Sequence, residues 1–117
     1  MTTRYDIAIQ QGARFLKSIQ VRDRVTNEVQ SLVGYSARMQ IRSSKESAVI
    51  LLEASTANGR ISVNGPGGTI TIDIGADVTE PLTWNTGFYD LEAYSSASDV
   101  IRVLEGNASL SLEVTRT

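Results

Sequence analysis

The chain has 117 residues, a net charge of −2, and neither cysteine nor histidine. Disulfide frameworks and thiolate metal centres are thereby excluded, as are the commonest general base, the usual zinc ligand and the near-neutral pH switch. The mild acidity argues against a protein built to neutralise phosphates, although it leaves room for a local basic patch.

The length fits one domain, spanning 1–117, that buries roughly two-thirds of its unfolded surface without staples. The longest apolar run, Ala48–Leu52, falls far short of the roughly 20 residues that span a bilayer. The opening MTTRYDIAIQ lacks the apolar centre of a signal peptide, so synthesis and retention in a cytoplasm, with no membrane partner, are expected. On that expectation the Asn107-Ala108-Ser109 glycosylation triplet is read as chance.

The dominant period along the chain is two. Tyr5, Ile7 and Ile9 alternate with polar neighbours in a first strand, broken at Gln11-Gly12. From Ala13 to Arg22, Phe15, Ile19 and Val21 share a face with Lys17, which predicts an edge strand or a bulge. Asp23–Gln30 reads as a loop. Leu32 and Val33 lead into Gly34–Arg42, where parity sends Tyr35, Ala37, Met39 and Ile41 to the core. Ser36, Arg38, Gln40 and Arg42 take the other face. After a turn at Ser43–Ser47 comes a strand over Ala48–Ala54, then the turn Ala57-Asn58-Gly59. Ile61 and Val63, the turn Asn64–Gly68, and Ile70, Ile72 and Ile74 make the clearest hairpin.

Gly75–Leu82 is the single helix candidate, at most a short turn near residues 76–81 that Pro81 ends. Trp84 is expected to lid the core. Phe88–Tyr94 is a strand with Tyr89, Leu91 and Ala93 inward and Asp90 and Glu92 outward. Ser95–Ser98 turns the chain, Val100–Leu104 returns it, and Gly106 is read as a further turn. Ala108, Leu110, Leu112 and Val114 then form one face of a final strand, with Arg116 and Thr117 following it. Eight or nine short strands predict an all-β fold, an antiparallel β-sandwich or a partly closed barrel.

Little in the chain points to catalysis. Its hydroxyls have no histidine beside them and no G-x-S-x-G pattern. Gly65-Pro66-Gly67-Gly68 lacks the Lys-Ser or Lys-Thr ending and following helix of a phosphate loop. Asp73, Asp77 and Glu80 are too dispersed for a calcium loop. No catalytic residue, cofactor or metal is expected. Arg38 and Arg42 lie about 13 Å apart on one strand face. Tyr35 has the opposite parity, so the strand shows no stacking platform for a nucleic acid, and none is expected as a partner. Arg14, Arg22 and Arg24 are further cations whose placement stays open. Asp90 and Glu92, flanked by Phe88 and Tyr94, suit either a carbohydrate platform or a protein interface. Arg38, Arg42, Asp90, Glu92 and Tyr94 are therefore the candidate interface residues.

The segments YDIAIQQGARF, LVGYSARMQIR, NGRISV, TITIDI, GFYDLE and EVTRT occur in that order. The series resembles a family of small structural proteins encoded in the virion-morphogenesis genes of tailed bacteriophages and prophages. It is also weakly similar to the N-terminal β-sandwich of siphophage upper baseplate proteins, which anchor receptor-binding parts to the tail. The most specific pieces are Gly34–Arg42 and Gly87–Glu92. The resemblance implies a non-enzymatic virion component, made in a bacterial cytoplasm and present in symmetric multiple copies. Its implied role is a tail or baseplate adaptor whose partners are tail-tip, baseplate or fibre proteins. The alternatives are a decoration or cement protein on the major capsid protein, and a carbohydrate-binding module at the host surface. It brings no catalytic residues. Where the family has a tighter, glycine-containing turn, this chain has Asp23–Glu28, which is expected to protrude. Tyr5–Ile9 and Ala108–Val114 are expected to be free to extend a neighbour's sheet; if Gly34–Arg42 is an interface, Arg38 and Arg42 should meet carboxylates on another chain.

Overall fold

Alternating β-branched and aliphatic residues build nine strands and one helical turn in the computed structural model, which describes residues 3–23 and 25–115. In chain order these are β1 (Thr3–Arg4), β2 (Ile7–Gln10), β3 (Phe15–Gln20), β4 (Ser36–Arg42), β5 (Ile50–Ser55), β6 (Ile61–Asn64), β7 (Thr69–Ile74), α1 (Ala76–Thr79), β8 (Thr86–Ser96) and β9 (Asp99–Ser111). They form a six-stranded sheet, ordered β1-β9-β8-β4-β5 with β2 also on β9, and a three-stranded sheet ordered β3-β7-β6. The fold is all-β and sandwich-like, as the period-two pattern predicts. No helix among the described residues is long and apolar enough to cross a membrane.

The core lies between the two sheets. Ala37, Met39 and Ile41 of β4 and Leu91 and Ala93 of β8 are fully buried, and they face Ile70, Ile72 and Ile74 of β7. Because the side-chain period of a strand is two, these choices fix which residues must point outward. Each buried aliphatic side chain contributes about 1.5–3 kcal/mol relative to exposure. Asn58 ties the crossing from the large sheet to the small one: its Oδ1 accepts the Ser55 N–H at 2.9 Å, and Gly59 follows at φ +80°. Trp84 packs partly buried against this core, the position expected of it.

Pairing is antiparallel except at one edge, where β1 and β2 run parallel to β9. Ile7 stands opposite Ala108 and Gln10 opposite Ser111. This overturns the turn expected at Gly106, because β9 runs unbroken through it for 13 residues. A Cβ at Gly106 would overlap the Tyr5 carbonyl oxygen, so the glycine is there for close backbone approach. The β8–β9 register slips by one between Leu91 and Glu92. That bulge leaves the consecutive Val103 and Leu104 both buried.

Other expectations are corrected at the ends of elements. The last strand stops at Ser111, since β2 ends opposite it; Leu112 and Val114 are 55% and 92% exposed. Tyr5–Ile9 and Ala108–Val114 are not both free for a neighbour, because β2 and the end of β9 pair with each other. Tyr35 precedes β4 and is only half-buried; its hydroxyl reaches out to donate to the Asp99 carboxylate at 2.8 Å. The short helical turn expected near residues 76–81 is present, as a single turn at Ala76–Thr79. Its buried Thr79 hydroxyl donates to the Ala13 carbonyl at 2.9 Å.

The edge expected around Lys17 is present. β3 ends its sheet, and the Lys17 ammonium lies over the Tyr5 ring, 4.3 Å from its centre. In the following loop, Asp23 accepts the backbone N–H groups of Val25 and Thr26 at 2.8 and 3.0 Å. Val25 is 94% exposed, so this loop does project. Arg24, Arg116 and Thr117 lie outside the described residues.

Candidate functional site

All five candidate residues fall on the outer face of the large sheet, and the register brings them together. Arg38 stands opposite Glu92 on one side and Ser55 on the other. Gln40 stands between Asp90 and Glu53. Across β8, Glu92 faces Arg102, Asp90 faces Glu105 and Tyr94 faces Val100. In the row Arg38, Glu92, Arg102 cation and carboxylate alternate across three strands, the arrangement in which cross-strand pairs are favourable, whereas the next row sets two carboxylates, Asp90 and Glu105, opposite each other.

Arg38 is held twice. Its Nε donates to Glu92 at 3.0 Å, and its guanidinium lies 4.4 Å from the centre of the Tyr94 ring. Within the chain, the neighbouring strand supplies Arg38 with a carboxylate. Arg42 differs: its Nη1 donates to the Ser47 carbonyl at 2.6 Å and its Nη2 to Gln40 Oε1 at 2.7 Å. No carboxylate among the described residues pairs with it. Gln40 in turn donates to Glu53 at 2.7 Å, so one amide links β5 to the Arg42 guanidinium.

Arg102 sits between two carboxylates, 3.7 Å from Asp90 and 3.6 Å from Glu105. Those distances are beyond hydrogen-bond reach. Burial pushes the Asp90 carboxyl above its usual range, the Glu92 charge adds to the rise, and Arg102 opposes it. Exposed pairs of this kind contribute only about 0–1 kcal/mol each. The face therefore adds little to stability.

Beside these groups an open cleft of about 230 Å³ is lined by Gln40, Arg42, Lys45, Phe88, Asp90, Arg102 and Glu105. Phe88 forms its apolar wall and is 38% exposed. Among the described residues, no three carboxylates cluster closely enough to hold a metal ion.

The other cations do not join this face. Arg14 makes a two-pronged bond to Asp73 at 2.8 and 2.9 Å on the small sheet. Arg22 donates to the Asn27 carbonyl and to Gln20. Sequence reasoning missed Gln40, Glu53, Arg102 and Glu105 as members of the face. Parity marked Gln40 as outward, but no local signal sets which residue lies opposite which across strands far apart in the chain.

No protein-family model matches this chain, and a search of curated proteins returns no significant match.

Proposed function

We propose that the protein is a non-enzymatic structural component of a tailed-phage virion, an adaptor in the tail or baseplate that connects fibres or receptor-binding parts. The virion reading rests on the ordered sequence segments described above. The observation that supports an interaction role is the outer face of the large sheet, where Arg38, Glu92 and Arg102 alternate in charge across three adjacent strands. Arg38 is already held by Glu92 and the Tyr94 ring, so a partner need not order it on docking. Such a face selects a partner with the complementary pattern and fixes its register more than it adds affinity. Repetition by symmetry would multiply weak contacts into a stable assembly.

Reconstruction of the intact particle, with quantification of its copies, tests the role. An adaptor is present in about 3–12 copies, following the symmetry of its site. Hundreds of copies on the head would instead identify a decoration protein, and absence from the particle would remove the virion reading. The face itself is tested by the exchange Arg38→Glu with Glu92→Arg, which keeps the internal pair and reverses the pattern shown to a partner. Loss of incorporation is expected; wild-type incorporation would dismiss this face as the docking surface.

A further inference from the structure

The cleft on the outer face of the large sheet has features that a merely solvated strand face does not need. Its apolar wall is the phenyl ring of Phe88, which remains 38% exposed. Two carboxylates open onto it, Asp90 and Glu105, and neither accepts a hydrogen bond from any described residue; Arg102 stands 3.7 and 3.6 Å away. The side chains of Asp90 and Glu105 are only 41% and 34% exposed. They therefore retain acceptor capacity for a ligand in the cleft. Arg42 is the opposite case, locked to the Ser47 carbonyl and to Gln40, so it presents its remaining donors in a fixed direction.

Charge decides the class of ligand. Arg42, Lys45 and Arg102 share this small space with Asp90 and Glu105. An anion would meet both carboxylates at close range, and a cation would meet the guanidinia. A neutral ligand with donors and acceptors on its rim, and C–H groups on one face, meets no such opposition. Its hydroxyls can donate to Asp90 and Glu105 and accept from Arg42, while its C–H face rests on the negative face of the Phe88 ring. A volume of about 230 Å³ suits one ring and not a folded peptide segment.

We propose that this cleft binds a single neutral sugar ring, stacked on Phe88 and hydrogen-bonded by Asp90, Glu105 and Arg42. The sequence placed an aromatic platform beside the acidic pair; the structure selects Phe88 for it. Tyr94 already carries the Arg38 guanidinium over its ring, and Trp84 is packed on the core. The cleft stands on this geometry alone and does not depend on the adaptor role.

Titration of the isotope-labelled protein with glucose, galactose, mannose and N-acetylglucosamine, read by amide NMR shifts, tests the proposal. Sodium phosphate, sodium acetate and ethylammonium chloride serve as charged probes. At least one sugar should give saturable shifts at Gln40–Lys45 and Phe88–Asp90. Phe88→Ala should weaken binding about tenfold, a single stacked contact, and Glu105→Gln should weaken it several-fold. Absence of saturable shifts with all four sugars would overturn the proposal. So would a response to a charged probe only, or sugar binding unchanged in both variants. If Phe88→Ala does not fold, the exposed-rim change Glu105→Gln decides alone.

Discussion

The two sheets present opposite outer faces. On the large sheet the outward rows across β4, β8 and β9 are charged: Arg38, Glu92 and Arg102, then Gln40, Asp90 and Glu105. On the small sheet the corresponding rows are Ser18, Thr71 and Ser62, then Gln20, Thr69 and Asn64. Its charge is confined to one end, where Arg14 grips Asp73. The inward faces are alike, both aliphatic, so the core requirement is the same for each. The difference outside shows that packing leaves the outer face undetermined, and that what is written there is available for function. A neutral hydroxyl ladder, such as the Ser18–Thr71 contact at 3.0 Å, makes cross-strand bonds without electrostatic preference for a partner. The charged ladder has such a preference.

The comparison breaks first if the common core is damaged. Ile41→Ala removes a fully buried side chain between outward Gln40 and Arg42. It should cost about 3 kcal/mol, read by urea denaturation, and loosen the large sheet's face with it. Gly106→Ala comes next. Its methyl group would strike the Tyr5 carbonyl and Asp6, so a loss of about 2 kcal/mol is expected. Amide exchange should then show protection lost at Ile7–Gln10 ahead of the small sheet.

The two faces should answer acid in opposite senses. The hydrogen bond from Arg14 and its charge hold Asp73 below the usual carboxylate range. Its contribution is present above the unfolded value, about 3.9, and is lost as pH falls through its lower folded value. Burial first, then the Glu92 charge, holds Asp90 above that range. Its folded form takes up a proton more readily, so acidification relieves a penalty present at neutral pH. Asp73→Asn should therefore destabilise at pH 7, with the deficit vanishing in acid. Asp90→Asn should leave pH 7 stability unchanged or slightly raised, with its difference from the parent chain also closing in acid. Side-chain carboxyl titration by NMR gives the two directions independently. The smallest effect is expected from single arginine removals: Arg14→Ala and Arg38→Ala should each change stability by less than about 1 kcal/mol. A larger loss in either would mean that its ladder also holds its sheet together.

Much of this was legible locally. Strict alternation in Ala37-Met39-Ile41 and Tyr89-Leu91-Ala93 identified inward and outward faces, and so placed Arg38, Arg42, Asp90, Glu92 and Tyr94 outward. Lys17 among apolar residues marked an edge. Pairing partners were not legible, because they depend on register between distant segments. That is why Arg102 and Glu105 were missed beside Asp90, and why Glu92 was not foreseen as the cross-strand partner of Arg38. Gly106 misled for a related reason: a glycine needed for close approach looks the same in sequence as one needed for a turn. Leu112 and Val114 continued the pattern past the point where a facing strand was available to cover them.

The parallel seating of β2 on β9 sets an order of events. Ile7–Gln10 finds its partner only about a hundred residues downstream, and the same span separates Asp6 from the Asn107 amide it accepts. During synthesis the β6–β7 hairpin can close at once, while β2 waits until β9 has left the ribosome. The large sheet is thus completed last, at the edge where β2 docks on the end of β9.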